Sequence, residues 1–353
     1  MTFSVYQHWD PLRVMAVGTS YPPEFYDYIK NKKVRKVFYK IAEETEEDYQ
    51  KLTNLLQSFN VSVYRMPVEP MLEDAHRCIK ENRAITSPFI MQPRDQSVML
   101  GNTFYCFDGN AYKPLRDKVS RQGNVVKINT DFDIGFKWQN TKLYMNGAMI
   151  SRLGKDLYIG SVQKVNEEHR IEIDTIQDEL RKQLSDFRLT FVETEGHADG
   201  CFCPVVPGLI LSVLSPINYK ETFPDWEVVY LQGESWAKIK PFAQLKQKNA
   251  GKWWVPGEEL NDDFTHYVET WMNKWVGYVE ESVFDVNMIV IDKKNVIVNG
   301  YNEKAFDAFS RYGITPHVCN FRHRYFWDGG LHCITSDLHR EGSMEDYFPE
   351  RNI

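Results

Sequence analysis

A short order of patterns recurs along this chain and limits what it can fold into: two strand-like runs about a tight turn, an amphipathic stretch, then one more short strand. The copy nearest the carboxyl terminus is the most legible. Met288 to Asp292 reads as a strand, Lys293-Lys294-Asn295 as a turn and Val296-Ile297-Val298 as the returning strand; Asn302 then caps a helix that Gly313 stops, and Pro316-His317-Val318 reads as the final strand. The same order runs from Val205-Val206 through the Pro207-Gly208 turn and Leu209-Ile210-Leu211 to Trp226–Tyr230. Before it, Leu143 to Ile150 reads as a strand that turns near Gly154-Lys155 into Leu157-Tyr158-Ile159. A helix with Ile173, Ile176, Leu180, Leu184 and Phe187 on one face then leads to the strand Leu189–Val192. Val98-Met99-Leu100, Gly101-Asn102 and Thr103-Phe104-Tyr105 give a further hairpin, whose helix the sequence leaves unclear. The first copy has a strand at Leu12 to Gly18 and a long helix carrying Phe38, Ile41, Thr45, Tyr49, Leu52, Leu56 and Phe59 at three- or four-residue spacing. Asn60 ends that helix before the strand Val61–Tyr64.

Hairpin, helix, strand, about five times over, predicts an α/β fold built as a propeller or array of similar units. The 353 residues, 42% hydrophobic, suffice to bury a large core, and no interdomain linker is evident, so one domain over 1–353 is expected. Residues 233–285, with Trp253-Trp254-Val255-Pro256-Gly257 and Trp271, break the period and are expected to be an insertion, a helical connection or a lid. A net charge of −7 with interspersed Lys and Arg argues against nucleic acid and for a small-molecule partner. No apolar run is long enough for a membrane span and the amino terminus lacks a signal pattern, so a cytoplasmic protein is expected. Six cysteines are too sparse for a disulfide scaffold and Cys201-Phe202-Cys203 lacks zinc spacing; five are read as reduced and structural.

Short polar clusters fall at corresponding places in the repeat. Pro93-Arg94-Asp95 precedes the second unit, Asn146-Gly147-Ala148 lies in the first strand of the third, His197-Ala198-Asp199 precedes the fourth, and Gly329-Gly330-Leu331-His332-Cys333 follows the fifth. Units arranged about an axis would bring these clusters to one end of it. His197 and Asp199 are two apart, so in an extended segment they face the same way, as a general acid/base and its carboxylate need to. Cys333 follows two glycines and stands beside cationic or hydrogen-bonding groups that favour a thiolate, the form that attacks electrophiles. Each cluster also has a plainer reading: a buried cysteine, a packed histidine, or a local Arg94–Asp95 ion pair.

At these residues the chain resembles the L-arginine:glycine amidinotransferase family. The similarity rests on Trp9-Asp10-Pro11-Leu12, Pro93-Arg94-Asp95 with Gly101 beyond, His197-Ala198-Asp199 followed by Pro207 to Ser212, Asn287 ahead of Asp292-Lys293-Lys294, and Gly329 to Cys333. It implies the five-module pseudo-symmetric α/β propeller of the guanidine-modifying enzymes, with ββαβ repeats. It also implies Cys333 as nucleophile, His197 as general acid/base, Asp199 as its partner, and Asp95 as a guanidinium-binding carboxylate. Arg94, Asn146, Met149, Asn287 and His332 are counted with Asp95 among the substrate-binding positions.

The implied reaction moves an amidino group from a guanidino donor, arginine or an analogue, to an amine acceptor through an amidino-cysteine. The alternatives are a guanidino-compound hydrolase or deiminase, and a binding protein that lost turnover. No cofactor or metal is called for, and a homodimer is compatible with the resemblance. Two departures stand out. Asn146 and Met149 occupy positions where the family usually carries aspartates, and the arginine that holds the substrate carboxylate falls, by counting from His197, at Pro216. Lys220 and Arg152 are the nearby cations able to substitute. A donor or acceptor other than the arginine and glycine pair is therefore expected.

Overall fold

The computed structural model describes residues 2–82, 89–128, 146–161, 177–194, 197–213, 219–231, 255–258, 260–271 and 285–351. Five three-stranded sheets carry the architecture. Each has an antiparallel pair and a third strand parallel to the middle one, which requires a crossover between the second and third strands. The first module contains β1 (Leu12–Val17) and β2 (Ser62–Arg65), joined by the helix Lys32–Ser58. The second has β3 (Ser97–Leu100), β4 (Thr103–Cys106) and β5 (Val125–Ile128), with the helix Lys113–Ser120 in the crossover. The third has β6 (Ile150–Leu153), β7 (Asp156–Ser161) and β8 (Arg188–Glu193); the fourth has β9 (Phe202–Val206), β10 (Leu209–Ser212) and β11 (Glu227–Tyr230). In the fifth, β12 (Ile289–Asp292) and β13 (Asn295–Val298) lead through the helix Glu303–Arg311 to β14 (Thr315–Val318).

The first module is completed from the far end of the chain. β15 (Thr335–Arg340) pairs antiparallel with β1, so the stretch after Cys333 is a strand, not a continuation of the preceding loop. The arrangement is the five-module α/β propeller expected from the sequence, with its first and last segments joined in one sheet.

Local chemistry explains the element boundaries. The Asn31 side chain accepts from the amides of Lys33 and Val34 to start the long helix, and Asn60 in the left-handed region (φ 59°) turns the chain out of it toward β2. Asn302 caps Glu303–Arg311 by accepting from the Ala305 amide, and Gly313 (φ 66°) follows its end. In the third module the strand starts at Ile150, later than expected. Asn146 instead caps a 3-10 turn over Gly147–Met149, and 143–145 lie outside the described residues. Most of 233–285 is also outside them. Its described helix, Asp262–Trp271, packs Phe264 and Tyr267 against Phe38 of the long helix. All six cysteines are unbridged, and no helix among the described residues is long and apolar enough to cross a membrane.

Burial divides each sheet into an inner and an outer edge. β3, β6, β9 and β15 are buried throughout, whereas β2, β5, β11 and β14 consist only of partly and fully exposed positions. β15 lies against β3, and β6 against β9, so inner strands of different modules meet at the centre.

The centre is charged. Asp337 of β15 accepts from Arg94 (2.6 Å), from Arg152 of β6 (2.7 and 2.8 Å) and from Arg340 (2.7 Å), and all four residues are buried. Burial alone would raise the Asp337 carboxyl, but Arg152, Arg94 and Arg340 outweigh it and hold it well below the usual carboxylate range. Asp337→Ala, which leaves three buried guanidiniums without their shared anion, is expected to cost about 3–5 kcal/mol in urea unfolding at neutral pH. A depressed carboxyl stabilises above the unfolded-state value of 3.8, so the deficit should persist across neutral pH and shrink only below that value. A variant of wild-type stability would show that this junction does not hold the modules together.

Candidate active site

Five polar turns stand at equivalent positions, each just before the inner strand of its module. Pro93–Gln96 precedes β3, Gly147–Met149 precedes β6, Ala198–Cys201 with His197 at its start precedes β9, Asn287 precedes β12, and the Gly329–Ile334 turns precede β15. The sequence reading placed Asn146-Gly147-Ala148 inside a strand and the glycine pair after the fifth module. Both are turns leading into inner strands, which is why they converge.

Cys333 lies on the floor of this convergence, 2% exposed. Its Sγ is 3.7 Å from Asp199 Oδ2 and 3.1 Å from Asn287 Nδ2. Asp199 Oδ2 also accepts from His332 Nδ1 at 2.6 Å, while Asp199 Oδ1 is buried with no hydrogen-bond partner among the described residues. His197 Nδ1 is 3.9 Å from Asp95 Oδ1, and Asn146 Nδ2 is 3.5 Å from His197 Nε2. The His197 and Asp95 side chains keep 32% and 18% of their surface open to solvent. Both act electrostatically on Asp199.

The two carboxylates are both perturbed. Burial raises Asp199 to about 6, although His197 and Arg94 pull it the other way. Burial and then the negative charge of Asp199 push Asp95 well above the carboxylate range, against the pull of Arg94. Two neighbouring carboxylates cannot both ionise cheaply in a desolvated site, and both are held above their ordinary range. Burial, and next Arg94, hold His332 well below 6.5, so it is a neutral imidazole donating its Nδ1–H to Asp199.

The expected site residues separate into groups. Cys333, Asp199, Asn287 and His332 form one set of contacts and His197, Asp95 and Asn146 another, and the two sets act on each other electrostatically through Asp199. His197 precedes a helical turn rather than an extended segment, and the hydrogen bonds of Asp199 run across to His332 and Cys333. Arg94 lies beneath the site. Its guanidinium engages Asp337 and the Thr335 carbonyl, and its backbone amide donates to the Cys333 carbonyl, so it holds the cysteine turn and does not face substrate. Met149 is 4% exposed and belongs to the apolar cluster of Ile150, Leu157 and Ile159, an uncharged wall where the resemblance anticipates a carboxylate. Arg152 is committed to Asp337, Lys220 is exposed on the fourth module's crossover, and Pro216 lies outside the described residues.

Sequence reasoning missed Gln92, whose Nε2 donates to the carbonyls of Trp327 (2.8 Å) and Asp328 (3.1 Å) at the entry of the cysteine turn. Its place beside Pro93-Arg94-Asp95 was the available signal. The glycine pair is explained by close approach: a Cβ on Gly329 would lie 2.4 Å from Gln92 Nε2, and one on Gly330 2.5 Å from Asn287 Oδ1.

No family model matches the chain. It is 24% identical over 237 residues to the L-arginine:L-lysine amidinotransferase of Pseudomonas savastanoi pv. phaseolicola, spanning about half of that protein's length (51%) and 66% of its own. It is 22% identical over 394 aligned positions to the mitochondrial glycine amidinotransferase of Xenopus tropicalis, covering 97% of this chain and 84% of that one. The chain is a relative of the amidinotransferases. Its fold agrees: the amidinotransferase SxtG of Microseira wollei, from a saxitoxin biosynthetic pathway, superposes with a TM-score of 0.64 at 17% identity over 99% of this chain and 100% of that one. The inosamine-phosphate amidinotransferase of Streptomyces griseus gives 0.63 at 16% identity, covering 98% and 99%.

In this amidinotransferase relative the folded state holds the Asp199 proton more tightly than the unfolded chain does. Stability from this group is therefore lost as pH rises from 3.8 to about 6, and stays lost above that. Asp199→Asn is expected to melt higher than wild type above pH 6, with the gap closing as pH falls toward 3.8. Melting curves across that range check it; a gap independent of pH would contradict the assignment.

Proposed function

We propose that the chain transfers an amidino group from a guanidino donor to an amine acceptor, and that it acts as a single domain. The observation that supports this best is a buried cysteine sulfur beside Asp199, with Asp95 and His197 closing the open side. A guanidinium is planar and cationic, so the two carboxylates suit it, and its resonance-stabilised carbon yields only to a strong nucleophile. Cys333 Sγ attacks that carbon as a thiolate. The tetrahedral adduct collapses as the departing amine takes a proton from His197, leaving the amidino group bonded to sulfur. An incoming amine then loses a proton to His197 and attacks the same carbon, and the thiolate departs. This is double displacement with ping-pong kinetics.

Excluding water separates transfer from hydrolysis. Transfer is favoured because the sequence relatives carry that activity in their names, whereas DDAH from Pseudomonas aeruginosa shares the fold at 12% identity with a TM-score of 0.51. Specificity diverges from arginine and glycine in this reading. The Met149 wall supplies no third carboxylate, and Arg152 is bound to Asp337, so neither the guanidinium nor the amino-acid end of arginine has the anchors the resemblance implies.

The test is intact mass after incubation with a panel of guanidino donors. Wild type should gain one amidino group on Cys333, and Cys333→Ser should gain none. His197→Ala should turn over about 10²–10⁴-fold more slowly. Adding amine acceptors should discharge the adduct into a new guanidino product. Release of urea or ammonia without acceptor would instead assign a hydrolase, and no adduct from any donor would assign a binding protein.

A further inference from the structure

Asn287 is buried completely and was expected only to bind substrate, yet both ends of its carboxamide face the cysteine turn or Asp199. Its Oδ1 accepts from the backbone amides of His332 (2.9 Å) and Cys333 (3.3 Å). Two converging N–H donors require an acceptor, which fixes the orientation of the carboxamide. The NH₂ end is thereby turned to the other side, where Nδ2 lies 3.1 Å from Cys333 Sγ and 3.3 Å from the Asp199 carbonyl. The backbone of Asn287 is itself held: its carbonyl accepts from Asn299 Nδ2 at 2.7 Å. Gly330 leaves room for the carboxamide, since a Cβ there would lie 2.5 Å from Oδ1.

We propose that Asn287 is a catalytic residue that stabilises the Cys333 thiolate by a preorganised N–H···S hydrogen bond, its orientation locked by the amides of the turn it supports. This rests on the reading of Cys333 as nucleophile and adds the group that makes the sulfur acidic enough to serve. A sulfur facing an N–H donor gains more as an anion than as a thiol, because hydrogen bonds to ionised groups are the stronger ones. The opposing contact is Asp199 Oδ2, which accepts the S–H of the neutral thiol. Asn287 and Asp199 therefore act in opposite directions on the same proton: Asp199 favours S–H and Asn287 favours S⁻.

The other ionisable groups around the sulfur are committed to one another. Neutral His332 directs Nδ1 at Asp199, Asp95 and His197 lie on the open side, and the Arg94, Arg152 and Arg340 guanidiniums lie beneath, bound to Asp337. Asn287 Nδ2 donates a hydrogen bond to Sγ.

Asn287→Asp tests this directly, since it keeps an oxygen for the two backbone amides and replaces the N–H donor with a carboxylate oxygen. The measurement is the thiolate absorbance of Cys333 against pH, taken as the difference between each protein and its Cys333→Ser counterpart, with no donor present. Ionisation of Cys333 in Asn287→Asp should move up by one pH unit or more, so that the thiolate fraction at a fixed pH below the transition falls about tenfold. Gly330→Ala, which displaces the carboxamide without adding charge, should shift the same transition in the same direction by a smaller amount. If Asn287→Asp does not fold, Gly330→Ala carries the test. Superimposable titrations in a folded variant would overturn the proposal and leave Asn287 a purely structural support. Because the titration needs no substrate, it is separable from the fate of the amidino-transfer reading: a shift with no donor adduct would leave the thiolate role standing and remove only the assigned reaction.

Discussion

Asp337 lies where modules would otherwise repel one another. Three guanidiniums, reaching it from the turn before β3, from β6 and from β15 itself, would be intolerable in a dry interior without a shared anion. With that anion they form a junction whose geometry leaves little freedom. Buried ionic groups of this kind often add less net stability than apolar packing would, but they admit few alternative arrangements. The inner strands therefore meet in one relative placement, and the turns above them inherit it.

Arg94 makes that inheritance concrete. Its side chain joins the charged junction while its backbone amide and Nε hold carbonyls of the cysteine turn, and the next residue, Asp95, stands at the mouth of the site. A displacement at the junction would thus be felt at Cys333 and at Asp95 together. Above it, desolvation raises both Asp95 and Asp199, and the charge of Asp199 raises Asp95 further, so full ionisation of the pair is costly.

Much of this was legible in the residues. The hairpin, helix and strand order appears in the alternation of Val296-Ile297-Val298 and the three-to-four spacing of Phe38, Ile41 and Thr45, and the structure has both elements. Cys333, Asp199, Asp95 and His197 could be grouped because their clusters fall near corresponding places in the repeat and carry the motifs of the resemblance. Other features were hidden for physical reasons. Thr335–Arg340 alternates no apolar face because its partners at the axis are guanidiniums and backbone, so a buried strand reads as a polar loop. Arg94 and Arg152 look like substrate ligands in a list of cations, and only the position of Asp337 shows where their charge is compensated. The His197–Asp199 spacing suggested a paired side, but a single helical turn redirected the carboxylate to the cysteine.

Because β15 completes the sheet begun by β1, the strand that follows the cysteine turn is also the one that joins the last segment to the first. During synthesis, four modules and two strands of the remaining one precede it, so the first sheet stays open until the segment carrying Cys333 has been made.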